Sequence, residues 1–189
     1  MIMKTKINFT LIFLGLVFLF FSCSKEGVFY GSSVKYYESG TMQKGQLAKD
    51  TVIEGYPCES WVHFYPNGSL KQFTLAENFT VAGNNFSEKT TVFLTEEGSL
   101  LQVYLPHDQM IQGYQCTGGN MKSATGFYPS GKLRFFFPHQ NTMVGEVLCS
   151  GGATMGIYLY ESGDLQKAYA AEDMVVNGIS YKKGDVIEL

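Results

Sequence analysis

Tyr65-Pro66-Asn67-Gly68-Ser69-Leu70 is the stretch from which the rest of the chain can be read. Pro-Asn-Gly favours a type I turn continued by a glycine in the left-handed region, a common closure for a β-hairpin. The signal recurs as Tyr128-Pro129-Ser130-Gly131-Lys132-Leu133. Looser copies are Tyr37-Glu38-Ser39-Gly40, Thr95-Glu96-Glu97-Gly98 and Tyr160-Glu161-Ser162-Gly163. The turn glycines are spaced by 28, 30, 33 and 32 residues. A period in this range marks a repeat architecture with one supersecondary motif per unit.

Outward from each glycine the columns hold without gaps. Six residues before it stand Val34, Val62, Val92, Thr125 and Ile157, a β-branched position suited to a strand. Two residues after it come Met42, Leu70, Leu100, Leu133 and Leu165, where a second strand starts. At ten residues stand Asp50, Asn78, Asp108, Asn141 and Asp173, short side chains able to bond their own backbone in a turn. Ile53, Val81, Ile111, Val144 and Val176 mark a third short strand, closed by Gly55, Gly83, Gly113 and Gly178, with Glu146 as the exception. An inward column of Cys58, Phe86, Cys116, Cys149 and Tyr181 follows. No window keeps a helical period. The spacing predicts an all-β domain over residues 34–189. It is an elongated antiparallel meander of five units, near 34–61, 62–91, 92–124, 125–156 and 157–189. A partial sixth strand near the C-terminus covers the last edge. A β-solenoid with one coil per unit is the alternative.

The two folds differ in what they allow the cysteines. In a meander, equivalent residues of adjacent units are at least two strands apart, about 9.6 Å. A disulfide needs Cα atoms within about 7 Å. The meander therefore leaves Cys116 and Cys149 unpaired, whereas stacked solenoid coils would permit a bond.

The 189 residues are 45% apolar and 16% charged, which suits one globular domain and excludes a disordered chain. Residues 1–22 read as a targeting segment, with Lys4 and Lys6 ahead of an eleven-residue apolar run. That run spans roughly 16 Å as a helix, too short for a bilayer core of about 30 Å. Its removal leaves 12 basic and 17 acidic residues, a formal charge of −5. With no basic cluster, nucleic acid is not an expected partner. Residues 23–33 read as a tether.

The apolar run ends in Phe20-Phe21-Ser22-Cys23, which resembles the lipobox of bacterial lipoproteins. The resemblance implies that Cys23 becomes the acylated N-terminus. The expected location is the bacterial cell envelope, lipid-anchored, with the outer membrane favoured over the inner. The Tyr-Pro-Asn-Gly-x-Leu cores resemble the MORN-like repeat variant of many bacterial repeat proteins and of an antitoxin family. These units are longer than the usual MORN unit. The glycine-rich eukaryotic signature linked with lipid binding is absent, so that activity is not carried over. The resemblance implies an antiparallel β-repeat that binds or spaces, not an enzyme. A protein or glycan is the expected partner, and an immunity or antitoxin-like binding role is the second reading.

No motif for catalysis stands out, and no cofactor or metal is expected. The Asx column cannot converge on one Ca²⁺, which needs six to eight oxygens. His63, His107 and His139 occupy different repeat positions and read as surface histidines. Cys149 and His139 are ten residues apart, with no third group to orient them. Two residues break their columns and are candidate contacts. Phe135 stands where other units have Lys44, Gln72, Gln102 and Lys167, inside the run Phe135-Phe136-Phe137. Strand alternation sends at least one of these three rings to the polar side. Trp61, the only tryptophan, stands where other units have small residues.

Overall fold

The computed structural model describes residues 27–119 and 122–189. Each unit gives one hairpin to a long antiparallel sheet. The pairs are Lys35–Tyr36 with Met42–Gln46, Tyr56–Phe64 with Leu70–Leu75, and Thr91–Leu94 with Leu100–Tyr104. Thr125–Phe127 with Leu133–Phe136 and Ile157–Leu159 with Leu165–Tyr169 follow. Val186–Glu188 pairs with the last of these and covers the edge. Strands adjacent in the sheet run antiparallel in order along the chain, so the fold is the meander and not the solenoid.

The turns explain why these residues fold this way. The five turn glycines have φ between 82° and 98°, a region costly for any residue with a Cβ. The residue three before each glycine donates its N–H across the turn. The pairs are Tyr37 to Thr41, Tyr65 to Ser69, Thr95 to Ser99, Tyr128 to Lys132 and Tyr160 to Asp164, all at 2.8–2.9 Å. Each hairpin then shifts register at the same place, for example between His63 and Phe64 and between Tyr158 and Leu159. That is a type I turn with a glycine bulge, written five times.

The third strand of each unit departs from expectation. It does not extend the meander but folds back on a fourth strand as a small side hairpin. The side hairpins are Phe79–Val81 with Asn84–Phe86, Gln109–Ile111 with Tyr114–Cys116, Thr142–Val144 with Val147–Cys149, and Met174–Val176 with Ile179–Tyr181. In unit one, Thr51–Ile53 pairs with the start of the long Tyr56–Phe64 strand. Two-residue turns close them. Glu54-Gly55, Ala82-Gly83, Gln112-Gly113 and Asn177-Gly178 have positive φ at both positions, as a type I′ turn requires. Unit four has Gly145-Glu146, with the glycine moved forward one place, which explains its break in the column.

The Asx column also acts differently from the expectation of a local turn. In four units its side chain accepts an N–H from the residue ten places on, across the base of the side hairpin. The bonds are Asn78 from Glu88 (2.9 Å), Asp108 from Gly118 (2.8 Å), Asn141 from Gly151 (3.2 Å) and Asp173 from Lys183 (3.0 Å).

The side hairpins cover one face of the sheet, and the core lies between the two layers. Val62, Phe73, Val92, Val103, Phe136, Ile157, Ala168 and Ile187 point into it and are fully buried. The side hairpins answer with Val81, Phe86, Ile111 and Val144. Ring contacts bridge the layers: Tyr56 on Phe73 (4.8 Å), Phe86 edge-on to Phe127 (5.8 Å) and Tyr114 on Phe136 (4.9 Å). Cys58, Cys116 and Cys149 are buried here and free, as the meander requires.

The tyrosine before each turn ties one unit to the next. Its hydroxyl donates to a backbone carbonyl: Tyr37 to Phe64 (2.9 Å), Tyr65 to Leu94 (2.8 Å), Tyr128 to Leu159 (2.8 Å), and Tyr160 to Leu189. Unit three has Thr95 instead, and its short hydroxyl accepts from Ser99 within its own turn.

Candidate functional site: the open face of the sheet

Strand alternation puts the neighbours of the buried row on the opposite face, which no other described element covers. Cross-strand pairing traces one continuous row there. It runs Lys35, Lys44, His63, Gln72, Phe93, Gln102, Gly126, Phe135, Tyr158, Lys167 and Glu188. Apart from Glu188 on the edge strand, the row is built from two repeat columns, so the fold repeats its positions while the side chains vary.

Rings gather in two places along it. Phe93 meets Tyr104 edge-on at 5.7 Å. Further along, Phe135 packs on Tyr158 at 5.8 Å and meets Phe137 at 6.4 Å. The Arg134 guanidinium lies 5.3 Å from the Phe135 ring centre, a cation–π distance. No salt bridge among the described residues includes Arg134. Phe136, between the two outward rings, is buried, so the triple-phenylalanine run divides between faces as alternation demands.

Phe135 is half-buried because of its neighbour. Gly126 lies directly opposite, and a Cβ built there would fall 2.0 Å from the Phe135 ring. The ring lies where a side chain at 126 would stand, and it screens that backbone. The position is therefore both contact surface and packing.

Trp61 is on the same open face, opposite Gln46, and 38% exposed. Lys44 Nζ stands 5.4 Å from its ring centre. Five strand steps separate it from Phe135, roughly 24 Å at about 4.8 Å per step. The structure does not bring the two candidate residues together; they stand apart on one face. Cys23 lies outside the described residues. Phe93, Tyr104 and Tyr158 escaped the sequence reading because each suits a strand equally well facing in or out. The usable signal was their alternation against the fully apolar column, which cross-strand pairing makes visible.

A second concavity lies between the side hairpins of units three and four. It is a groove of about 590 Å³ lined by Met110, Tyr114, Met143 and His139, among others. His139 Nε2 is 3.2 Å from Asp108 Oδ1. Cys149 is not its partner, since that thiol donates to the Val147 carbonyl. Burial pushes the Cys58 and Cys116 thiols up to about 12 and Cys149 up to about 11, so none is an activated nucleophile at neutral pH. Among the described residues, no group of three or more His, Cys, Asp or Glu side chains is placed to hold a metal ion. No helix among them is long and apolar enough to cross a membrane. Compared with known protein families, with curated proteins and with solved structures, the chain finds no match.

Proposed function

We propose that the chain is a membrane-anchored bacterial envelope lipoprotein with a MORN-like β-repeat scaffold, acting by binding rather than catalysis. Its open sheet face holds a macromolecular partner, protein or glycan. The carrying observation is the composition of that face. The columns that build the core keep to apolar or small residues, whereas the two that surface there interrupt polar residues and glycine with rings: Phe135 where other units have Lys44, Gln72, Gln102 and Lys167, and Phe93 and Tyr158 where other units have Lys35, His63 and Gly126. An uncovered sheet with clustered rings and amide or guanidinium neighbours offers flat stacking surface with polar anchors, which suits extended ligands. The lipobox-like Phe20-Phe21-Ser22-Cys23 supports the anchor.

Photo-cross-linking in intact cells tests the reading. A photoreactive phenylalanine at Tyr158 should give a discrete adduct with protein or glycan, and one at Met143, on the outer surface of a side hairpin, should not. Adducts from Met143 alone would put the working surface on the other side of the molecule.

A further inference from the structure

The N-terminal end of the open face is cationic in a chain whose balance is acidic. Lys35 and Lys44 stand directly opposite each other, and Lys44 stands opposite His63. Like charges in facing positions destabilise a sheet. Lys71 adds a third amine, and its charge and that of Lys44 both act on the His63 imidazole. Two lysines elsewhere find carboxylates, Lys167 with Glu188 and Lys182 with Asp173, while Lys49, Lys89, Lys132 and Lys183 are in none of these ion pairs. No salt bridge among the described residues includes Lys35, Lys44 or Lys71. Carboxylates lie beside the patch without pairing in it. Glu54 Oε2 accepts from the Leu70 N–H next to Lys71 (3.3 Å). The charges of Glu96 and Glu97 act on Tyr65, whose ring centre is 5.1 Å from Lys71 Nζ. Glu38 is exposed in the first turn, and Glu59 faces Thr74. Beside the amines are exposed rings, Trp61 at 38% and Tyr30 at 52%.

The path of the chain gives this patch a location. Ala48 N–H donates to the Val28 carbonyl, Phe29 pairs with Leu47, and Tyr30 N–H donates to Gln46. The polypeptide therefore enters the fold along the patch's own edge. Cys23 precedes Val28 by five residues, and a chain reaches at most about 3.6 Å per residue, or roughly 18 Å. An acyl group on Cys23 would keep this edge within roughly 18 Å of the lipid head groups.

We infer that the edge formed by Lys35, Lys44, Lys71 and Trp61 docks on the anionic surface of the membrane that carries the anchor. The inference rests on the lipid-anchor reading above. Amines take the head-group charge, and an amphipathic ring sits at the interface between water and acyl chains. The unpaired lysines gain their counter-charge there, and the net negative remainder of the chain is held off the surface. The ring cluster around Phe135 and Tyr158 then lies away from the membrane, free for a partner.

Trp61 is the only tryptophan, so its fluorescence reports this edge alone. The full lipidated protein is reconstituted in vesicles of phosphatidylethanolamine and phosphatidylglycerol brominated near the head group. Intact mass reports acylation at Cys23 separately. Trp61 emission should fall roughly twofold or more, and salt should restore it by screening the amines. The Lys35→Gln/Lys44→Gln/Lys71→Gln protein should remain anchored yet lose most of the quenching. In Trp61→Phe/Tyr158→Trp protein the reporter should stay bright. A chain without acyl mass overturns the anchor and this inference with it. An acylated, vesicle-bound chain with unquenched Trp61 overturns the docking alone. Equal quenching in brominated phosphatidylcholine, or in the triple variant, also overturns it.

Discussion

Phe135 and Gly126 form a matched pair, and each explains the other. Gly126 has ordinary backbone angles, so it is not demanded by its turn; its lack of a Cβ makes room for the ring. Gly126→Ala should destabilise the fold by about 1–3 kcal/mol, the usual range for overpacking. In a Phe135→Ala background the same change should cost clearly less. Urea unfolding of the four proteins should give a coupling of at least about 0.5 kcal/mol, and simple additivity would remove the stacking account. His63 offers a second residue-scale test. Burial, then Lys44, then Lys71, hold its pKa below the ordinary 6.5. The unfolded chain therefore takes up this proton first as pH falls. The associated stability is whole above about pH 6.5 and is lost as the pH drops toward the folded value. An NMR titration should place the His63 midpoint below 6.5, and Lys44→Gln should raise it. A midpoint at or above 6.5 would contradict the crowding of charge on that edge.

At the scale of elements, the tyrosine clamps carry the clearest consequence. Tyr128→Phe removes one hydroxyl bond to Leu159 and should cost about 1 kcal/mol. Thr95→Tyr should supply the hydroxyl that unit three lacks, aimed at the Phe127 carbonyl, and raise the urea midpoint. An unchanged or lower midpoint in Thr95→Tyr would show that the clamp is not a transferable part of the unit. The hairpins of the sheet were legible because Pro-Asn-Gly states a turn and its glycine states a backbone angle. The side hairpins were half legible. Their β-branched column and second glycine were plain, but the strand after the turn is only three residues long and shows no periodicity of its own. The Asx column suggests local turn capping because local bonds are the ones a sequence displays. Its real partner is ten residues on, which only folding back of the side hairpin brings near. The open face was legible at Phe135 and Trp61, where a column breaks visibly. It was hidden at Phe93 and Tyr158, because a ring in a strand states a strand and not a side.

For the whole molecule, the repeated scaffold separates what folds from what works. Columns kept to largely apolar residues fill the space between the sheet and the side hairpins, and columns that mix lysine, glutamine, histidine, glycine and rings surface on the open face. The same separation places the two ends of that face in different surroundings, cationic near the chain's entry and aromatic farther along. All of this depends on the unit being one structure used five times, and hydrogen exchange followed by NMR tests that directly. The amides of Tyr37, Tyr65, Thr95, Tyr128 and Tyr160 each donate across their turn, so all five should exchange slowly. Those of Ser39, Asn67, Glu97, Ser130 and Ser162, two places on at the turn tips, should exchange fast. Protection recurring at the spacing of the turn glycines is the predicted result; protection that ignores that spacing, with slow and fast amides mixed within either set, would contradict it.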